Sequence, residues 1–217
     1  MAREGMLVLG AGGHSRVVAD LIRACGHRVV GFVDPDETKL GRPVGRTGAA
    51  VVATVEGLLD QIERGGALPA HATAVVPGVG LNGVRLREAM RLRELLAPAL
   101  VHPAATVSPS AAIGSGSVVM PGALVNADAE IGQAVILNSG SVIEHDCSLA
   151  DGVHVSPGAV LNGAVIVGAR AWIGAGAVVL PRIRVGADAT VGAGSVVLAD
   201  VASDSTVGGN PARPLLS

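Results

Sequence analysis

An aliphatic residue returns at every sixth position from Val101 to Val197, through seventeen successive sites without an insertion or a miss. A small or modest side chain sits four places after most of them, among them Ser117, Ala123, Ala129, Ser141, Cys147, Ala159, Ala171, Ala177, Ala189 and Ser195. An α-helix has no use for a strict period of six, and an ordinary strand repeats at two. Six suits a parallel β-helix, in which each hexapeptide forms one short side of a stacked prism. Three hexapeptides close a coil, so residues about 18 apart stack at the roughly 4.8 Å spacing of neighbouring strands. The period therefore gives every residue of this stretch a place on the fold.

Composition fits that reading. Apolar residues make up 49% of the chain but aromatics only 1%, Phe32 and Trp172 with no Tyr, so the core is built from Val, Ile, Leu and Ala, as a narrow prism requires. The 31 Gly and 12 Pro would signal disorder without a period; here they fall at fixed phases and read as corners. The formal charge is −2, with no basic stripe or tail, which argues against nucleic acid as a partner. No run reaches the ~18–20 apolar residues of a membrane span. The opening residues pass straight into a short strand with no apolar leader segment. Cys25 and Cys147 are far apart and read as reduced thiols. A cytoplasmic protein is expected.

Before residue 100 the pattern changes from a period to an alternation. MLVLG reads as a buried strand, RVVADLIRACG as a helix closed by Gly26, and HRVVGFVDPD as a second strand ending at Asp34. A polar, Gly-rich stretch follows, then a helix over TVEGLLDQIERG, a strand in HATAVVPG, and the strongly amphipathic helix GVRLREAMRLRELL. This β-α-β-α-β-α order implies a small Rossmann-like α/β domain over residues 1–100, with a parallel sheet. The prism and its tail occupy residues 101–217, the tail leaving the repeat near Ala202.

Gly10-Ala11-Gly12-Gly13-His14-Ser15 lies between the first strand and helix. Glycines there let the backbone approach a pyrophosphate whose charge is met by helix N-terminal amides. Asp34, about twenty residues on, is placed to accept from a sugar or base hydroxyl. Ser15 stands where the dinucleotide fingerprint has its third glycine, and the domain is small for a dinucleotide. A mononucleotide or nucleotide sugar fits better than NAD; the plain alternative is a tight turn that binds nothing.

On the prism, His145 and Asp146 take the third and fourth places of the hexapeptide begun by Ile143, an outward corner, and Gly163 lies one coil above His145. A solvent-facing imidazole beside Glu144 and Asp146 has what a general base needs, and Gly163 presents its N–H with no side chain in the way. His154 points outward, with Trp172 one coil above. The plain alternative is a pair of polar corner residues. A metal site needs three converging imidazoles, and the prism offers only His145 and His154, with His102 at its start, so no metal is expected.

GAGGHS, FVD, the block NSGSVIEHDCSLADGVHVSPGAVLNGAVIVG and the tail GGNPAR together resemble the bacterial nucleotide-amino-sugar acetyltransferases of the sialic acid O-acetyltransferase type. The resemblance covers essentially the whole chain. It implies a left-handed β-helix, a homotrimer with sites between adjacent prisms, acetyl-CoA as donor, and N-acetylation of a UDP- or GDP-linked 4-amino-4,6-dideoxy sugar. By the same resemblance His145 is the base and Asp146 its polarising acid, where the family often has Glu. Gly163 is the oxyanion donor, His154 contacts the thioester region, and Ala175 and Ala193 line the CoA arm. Gly12, Gly13, His14, Asp34 and Gly80 match the nucleotide-sugar site, and Pro35 stands where a second acid is found. O-acetylation of a sialic-type sugar and a non-catalytic nucleotide-sugar-binding trimer are the alternative readings.

Overall fold

In the computed structural model, which describes residues 4–215, the chain divides after Leu100 into two compact units. The N-terminal unit runs β1 (Gly5–Leu9), α1 (Gly13–Ala24), β2 (Arg28–Val33), β3 (Val51–Ala53), α2 (Val55–Glu63), β4 (Ala74–Pro77) and α3 (Asn82–Arg91). Its sheet is parallel, in the order β3-β2-β1-β4. β1 is buried throughout, which is why its sequence is a continuous apolar run rather than an alternation. The chain winds outward from β1 to β3 and then returns to β4 on the other flank of β1. The carboxyl ends of β1 and β4 therefore form the switch point at which open α/β sheets take their ligands.

The helices follow their sequence signals. α1 buries Val18, Leu21 and Ile22 on one face, the spacing of a 3.6-residue period. It ends at Gly26, whose φ of +84° suits glycine. α2 begins at Thr54, whose hydroxyl accepts the Gly57 N–H at 3.0 Å. Leu7, Leu9, Val33, Val55, Leu58, Val75 and Leu92 form the core, each worth about 1.5–3 kcal/mol in burial. Two details depart from the sequence reading. A fourth strand, β3, lies in the stretch read as polar and Gly-rich: Val51 pairs with Phe32 and is buried, but three residues are too few to show a period. The last helix ends at Arg91, and its buried face carries Arg85 and Glu88 beside Ala89.

The second unit is the prism. Its three faces are ladders of two-residue parallel strands in 18-residue register: Ile136, His154 and Trp172 pair on the first face, Leu124, Val142 and Val160 on the second, Glu130, Ser148 and Ile166 on the third. The sixth-position aliphatics and the small residues four places later fill the interior, from Val119 to Val197. Corners recur at a left-handed residue, among them Asp128 (φ 59°), Asp146 (φ 59°), Ala164 (φ 59°) and Asp188 (φ 57°). The tail leaves the six-residue repeat near Ala202, yet the coil goes on for one more rung. Thr206–Gly208 adds a rung on Thr190–Val191 at 16 instead of 18 residues, and Arg213–Pro214 pairs with it antiparallel. The shortened register hides this rung from a search for sixes. Among the described residues no helix is long and apolar enough to cross a membrane.

Candidate active site

His145 and Asp146 occupy the edge that follows the second face. The Asp146 N–H donates to Ala127 O at 3.0 Å, and the His145 carbonyl accepts from Ala164 N at 2.9 Å, so the turn is tied to the coils on both sides. Aspartate tolerates the left-handed conformation there better than most residues. It brings Asp146 Oδ2 to 2.7 Å from His145 Nδ1. With the ring proton assigned to Nδ1 by that bond, Nε2 keeps its lone pair. The Asp146 hydrogen bond raises the imidazole above its ordinary pKa of 6.5; slight desolvation opposes it, and the charges of Asp146 and Glu144 add to the rise. Both side chains are exposed, 62% and 60%.

Gly163 covers the ring. A Cβ built there would lie 2.7 Å from both Nε2 and Cε1 of His145, so any other residue displaces the imidazole. Glu144 is held by Asn126, whose Nδ2 donates to Oε2 at 2.9 Å. Cys147 turns inward and is fully buried, its thiol donating to Asn162 O at 3.2 Å; burial pushes that thiol's pKa up, so it is no nucleophile for this edge.

His154 lies on the first face. Its ring is parallel to Trp172, 5.8 Å between centroids and 5° between planes. Asn138 Nδ2 is 3.2 Å from His154 Nε2, and Trp172 Nε1 donates to Ser156 Oγ at 2.7 Å. Ala175 and Ala193 stack on the edge after that face, where Gly194 N donates to Ala175 O at 2.8 Å. This edge and the His145 edge are one hexapeptide apart, up to about 20 Å at strand rise. The structure thus brings His145, Asp146 and Gly163 together and keeps His154, Ala175 and Ala193 elsewhere on the prism surface. Among the described residues no group of His, Cys, Asp and Glu is arranged to hold a metal.

The N-terminal candidates surround the β1–α1 loop. Gly12 and Gly13 open on a cavity of about 350 Å³ whose lining includes Arg16, Lys39, Arg42 and Val44. His14 and Gly80 meet on the β4 side, where a Cβ at Gly80 would lie 3.9 Å from that of His14. Burial, and then the charge of Arg85, lower the His14 pKa to about 4. Asp34 is 5% exposed. Its Oδ2 accepts from Ala11 N at 2.8 Å, and its Oδ1 from Asp36 N at 3.1 Å and Lys39 Nζ at 2.9 Å. It therefore anchors the glycine loop.

Residues 6–92 match the PglD N-terminal domain, and residues 128–163 and 164–199 match the bacterial transferase hexapeptide repeats. A perosamine N-acetyltransferase from Caulobacter crescentus, a His-to-Asn variant in complex with CoA and GDP-perosamine, is 36% identical over 100% of this chain and 99% of its own, with a TM-score of 0.88. The chain belongs to the PglD-like family of nucleotide-amino-sugar N-acetyltransferases. The acetyltransferase domain of PglB from Neisseria gonorrhoeae FA1090, in complex with acetyl coenzyme A, is 38% identical over 99% of this chain and 100% of its own, with a TM-score of 0.86. WeeI from Acinetobacter baumannii AYE is 28% identical over 97% and 99%, with a TM-score of 0.81. No curated protein matches significantly. The prism is the left-handed β-helix of this family, and the chain is an acyltransferase with acetyl-CoA as donor.

Within that family frame, the sequence reading passed over Asn126, Asn138, Ser156, Arg16, Lys39 and Arg42. The first three had a usable signal. Asn126 is 18 residues before Glu144, and Asn138 18 before Ser156, so one coil of arithmetic places each beside its site. The three cations had none, because only the packed loops bring residues 11–13, 16, 39 and 42–45 around one cavity.

Proposed function

We propose that this protein transfers the acetyl group of acetyl-CoA to the 4-amino group of a UDP- or GDP-linked 4-amino-4,6-dideoxy sugar, with His145 as general base. The observation that carries the reading is the His145–Asp146 pair at 2.7 Å beneath the bare backbone of Gly163. The amine lone pair attacks the thioester carbonyl carbon, and His145 Nε2 takes the proton as the C–N bond forms. The imidazolium that results is stabilised by Asp146. The Gly163 N–H holds the oxyanion until the carbonyl re-forms, the C–S bond breaks, and CoA leaves as its thiol with a proton returned by His145. No acyl-enzyme is needed, in keeping with the buried Cys147.

The N-terminal domain holds the nucleotide through Gly12, Gly13, His14 and Gly80, with Asp34 fixing the loop that does so. His154, Ala175 and Ala193 take the acetyl-CoA. Because the latter lie away from the His145 edge, one prism's base serves acetyl-CoA held by its neighbour in a homotrimer. The Caulobacter relative's complex with CoA and GDP-perosamine supports this choice of substrates. We place the reaction in the cytoplasm. The test is CoA-thiol release from acetyl-CoA with a panel of UDP- and GDP-4-amino-4,6-dideoxy sugars beside free sialic acid. Turnover with one nucleotide sugar is expected; turnover with sialic acid alone, or with nothing, overturns the reading.

A further inference from the structure

The acetyl-transfer reading leaves a buried cation unused. Arg85, on α3, is 1% exposed. Its Nη1 donates to the carbonyls of Val79 and Gly80, both at 3.1 Å, and its Nη2 to Asn82 Oδ1 at 3.0 Å. One guanidinium thus fastens the connection between β4 and α3. Burial lowers its pKa to about 10, so the side chain stays charged at neutral pH. A buried charge is costly to keep unless it is well hydrogen-bonded, and a methionine would fill similar volume without that cost.

The connection that Arg85 holds is interlocked with the glycine loop. A Cβ on Gly10 would lie 2.9 Å from Val79 Cγ2, and one on Gly78 would lie 2.7 Å from Val8 Cγ1 and 3.0 Å from the Cα of Ser15. Ser15 Oγ donates to Gly78 O at 3.0 Å and accepts the Gly12 N–H at 3.2 Å. With so little slack, a displacement of Val79 or Gly80 is passed to Ser15 and Gly12. These loops end β1 and β4, the switch-point strands.

We propose that Arg85 is a positioning residue for the nucleotide end of the substrate: it sets the Val79–Asn82 connection, and through Ser15 the glycine loop, in the geometry that accepts the phosphates, and supplies a buried positive charge behind them. This rests on the nucleotide-sugar reading above. Hydrogen bonds from charged groups are strong enough that their loss changes binding by about tenfold or more.

The experiment compares the full-length wild type with Arg85→Gln and Arg85→Lys, varying each substrate in turn. Arg85→Gln is expected to raise KM for the nucleotide sugar about tenfold or more, with kcat and KM for acetyl-CoA nearly unchanged. Arg85→Lys, which keeps the charge, should recover part of the loss. Far-ultraviolet circular dichroism establishes that each variant is folded, and Arg85→Lys alone carries the comparison if Arg85→Gln is not. Equal effects on both substrates, or none on the nucleotide sugar, overturn the inference. A wild type inactive on every nucleotide sugar defeats the functional reading instead. Calorimetric binding of GDP and UDP then decides on Arg85: weaker binding by the variants supports the role, and unchanged binding overturns it.

Discussion

The prism and the N-terminal domain hold their polar chemistry in opposite ways. On the prism, His145 and Asp146 stand more than half exposed on an edge set by the repeat. In the N-terminal domain, Ser15, Asp34 and Arg85 are buried and act on loops. A stacked coil needs nothing from its outward corners, so they are free to carry reactive groups. A small doubly wound sheet must bring separate loops together, and buried polar side chains do so. Changes on the prism edge should therefore alter kcat without stability, and changes in the N-terminal domain should alter nucleotide-sugar binding and stability.

The largest expected effect is on the prism. His145→Ala removes the proposed base, for which general base catalysis typically supplies ~10²–10⁴-fold. A loss of kcat in that range is expected, with an unchanged melting temperature because the side chain packs against little. An unchanged kcat removes His145 from the mechanism.

The counterpart in the N-terminal domain is acid lability. His14 is held near pKa 4 in the fold against 6.5 in the unfolded chain, so below pH 6.5 the unfolded state binds a proton that the native state refuses. Stability is therefore full above pH 6.5 and drains as pH falls to about 4, by roughly 3 kcal/mol at ~1.4 kcal/mol per unit. Two signals separate the units. All α-helices among the described residues lie in the N-terminal domain, and Trp172, in the prism, is the chain's one tryptophan. Urea titrations at pH 7 and 4.5 should show the helical midpoint falling more than the Trp172 midpoint, and His14→Gln should shrink the gap. Equal falls in wild type and variant would falsify the assignment to His14.

Gly163→Ala is the sharper test of the edge. The added Cβ would lie 2.7 Å from the His145 ring, which must swing aside. A misplacement of about 1 Å can cost on the order of 10² in rate. The ring is exposed and can move, so little stability should be lost. If kcat holds while the fold melts early, the glycine serves packing.

How much of this was legible in the sequence follows the same division. In the prism, counting by six placed the core and counting by 18 placed Gly163 over His145 and Trp172 over His154, because each residue's surroundings are its neighbours one coil away. Where the count changes, as at Thr206, the reading stopped short. In the N-terminal domain the strand–loop–helix order was readable, yet three things escaped it. β3 is too short for a period. Arg85, in a helix read only as strongly amphipathic, is buried where the loop after β4 offers it two carbonyls. Asp34, read as meeting a ligand hydroxyl, also accepts a backbone N–H on each of its oxygens. Such partners are distant in sequence and have no fixed spacing.

Asp146→Asn is the smallest effect and the most informative about the base. His145 acts only when Nε2 is unprotonated, so the rate must fall as pH drops through its pKa. Asp146 raises that value, chiefly through its hydrogen bond to Nδ1. Asparagine can still accept that bond and hold the ring, but a neutral amide oxygen is a weaker acceptor than a carboxylate and favours the imidazolium less, so the acidic limb of kcat/KM against pH should move down toward 6.5 while the plateau drops less than in His145→Ala. The same profile for His14→Gln should keep its acidic limb in place, because His14 is neutral throughout that range. If Asp146→Asn leaves the limb where it was, the titrating group is not His145. If both variants shift it, the limb reports the nucleotide site, and the division of labour between exposed edge and buried loop fails.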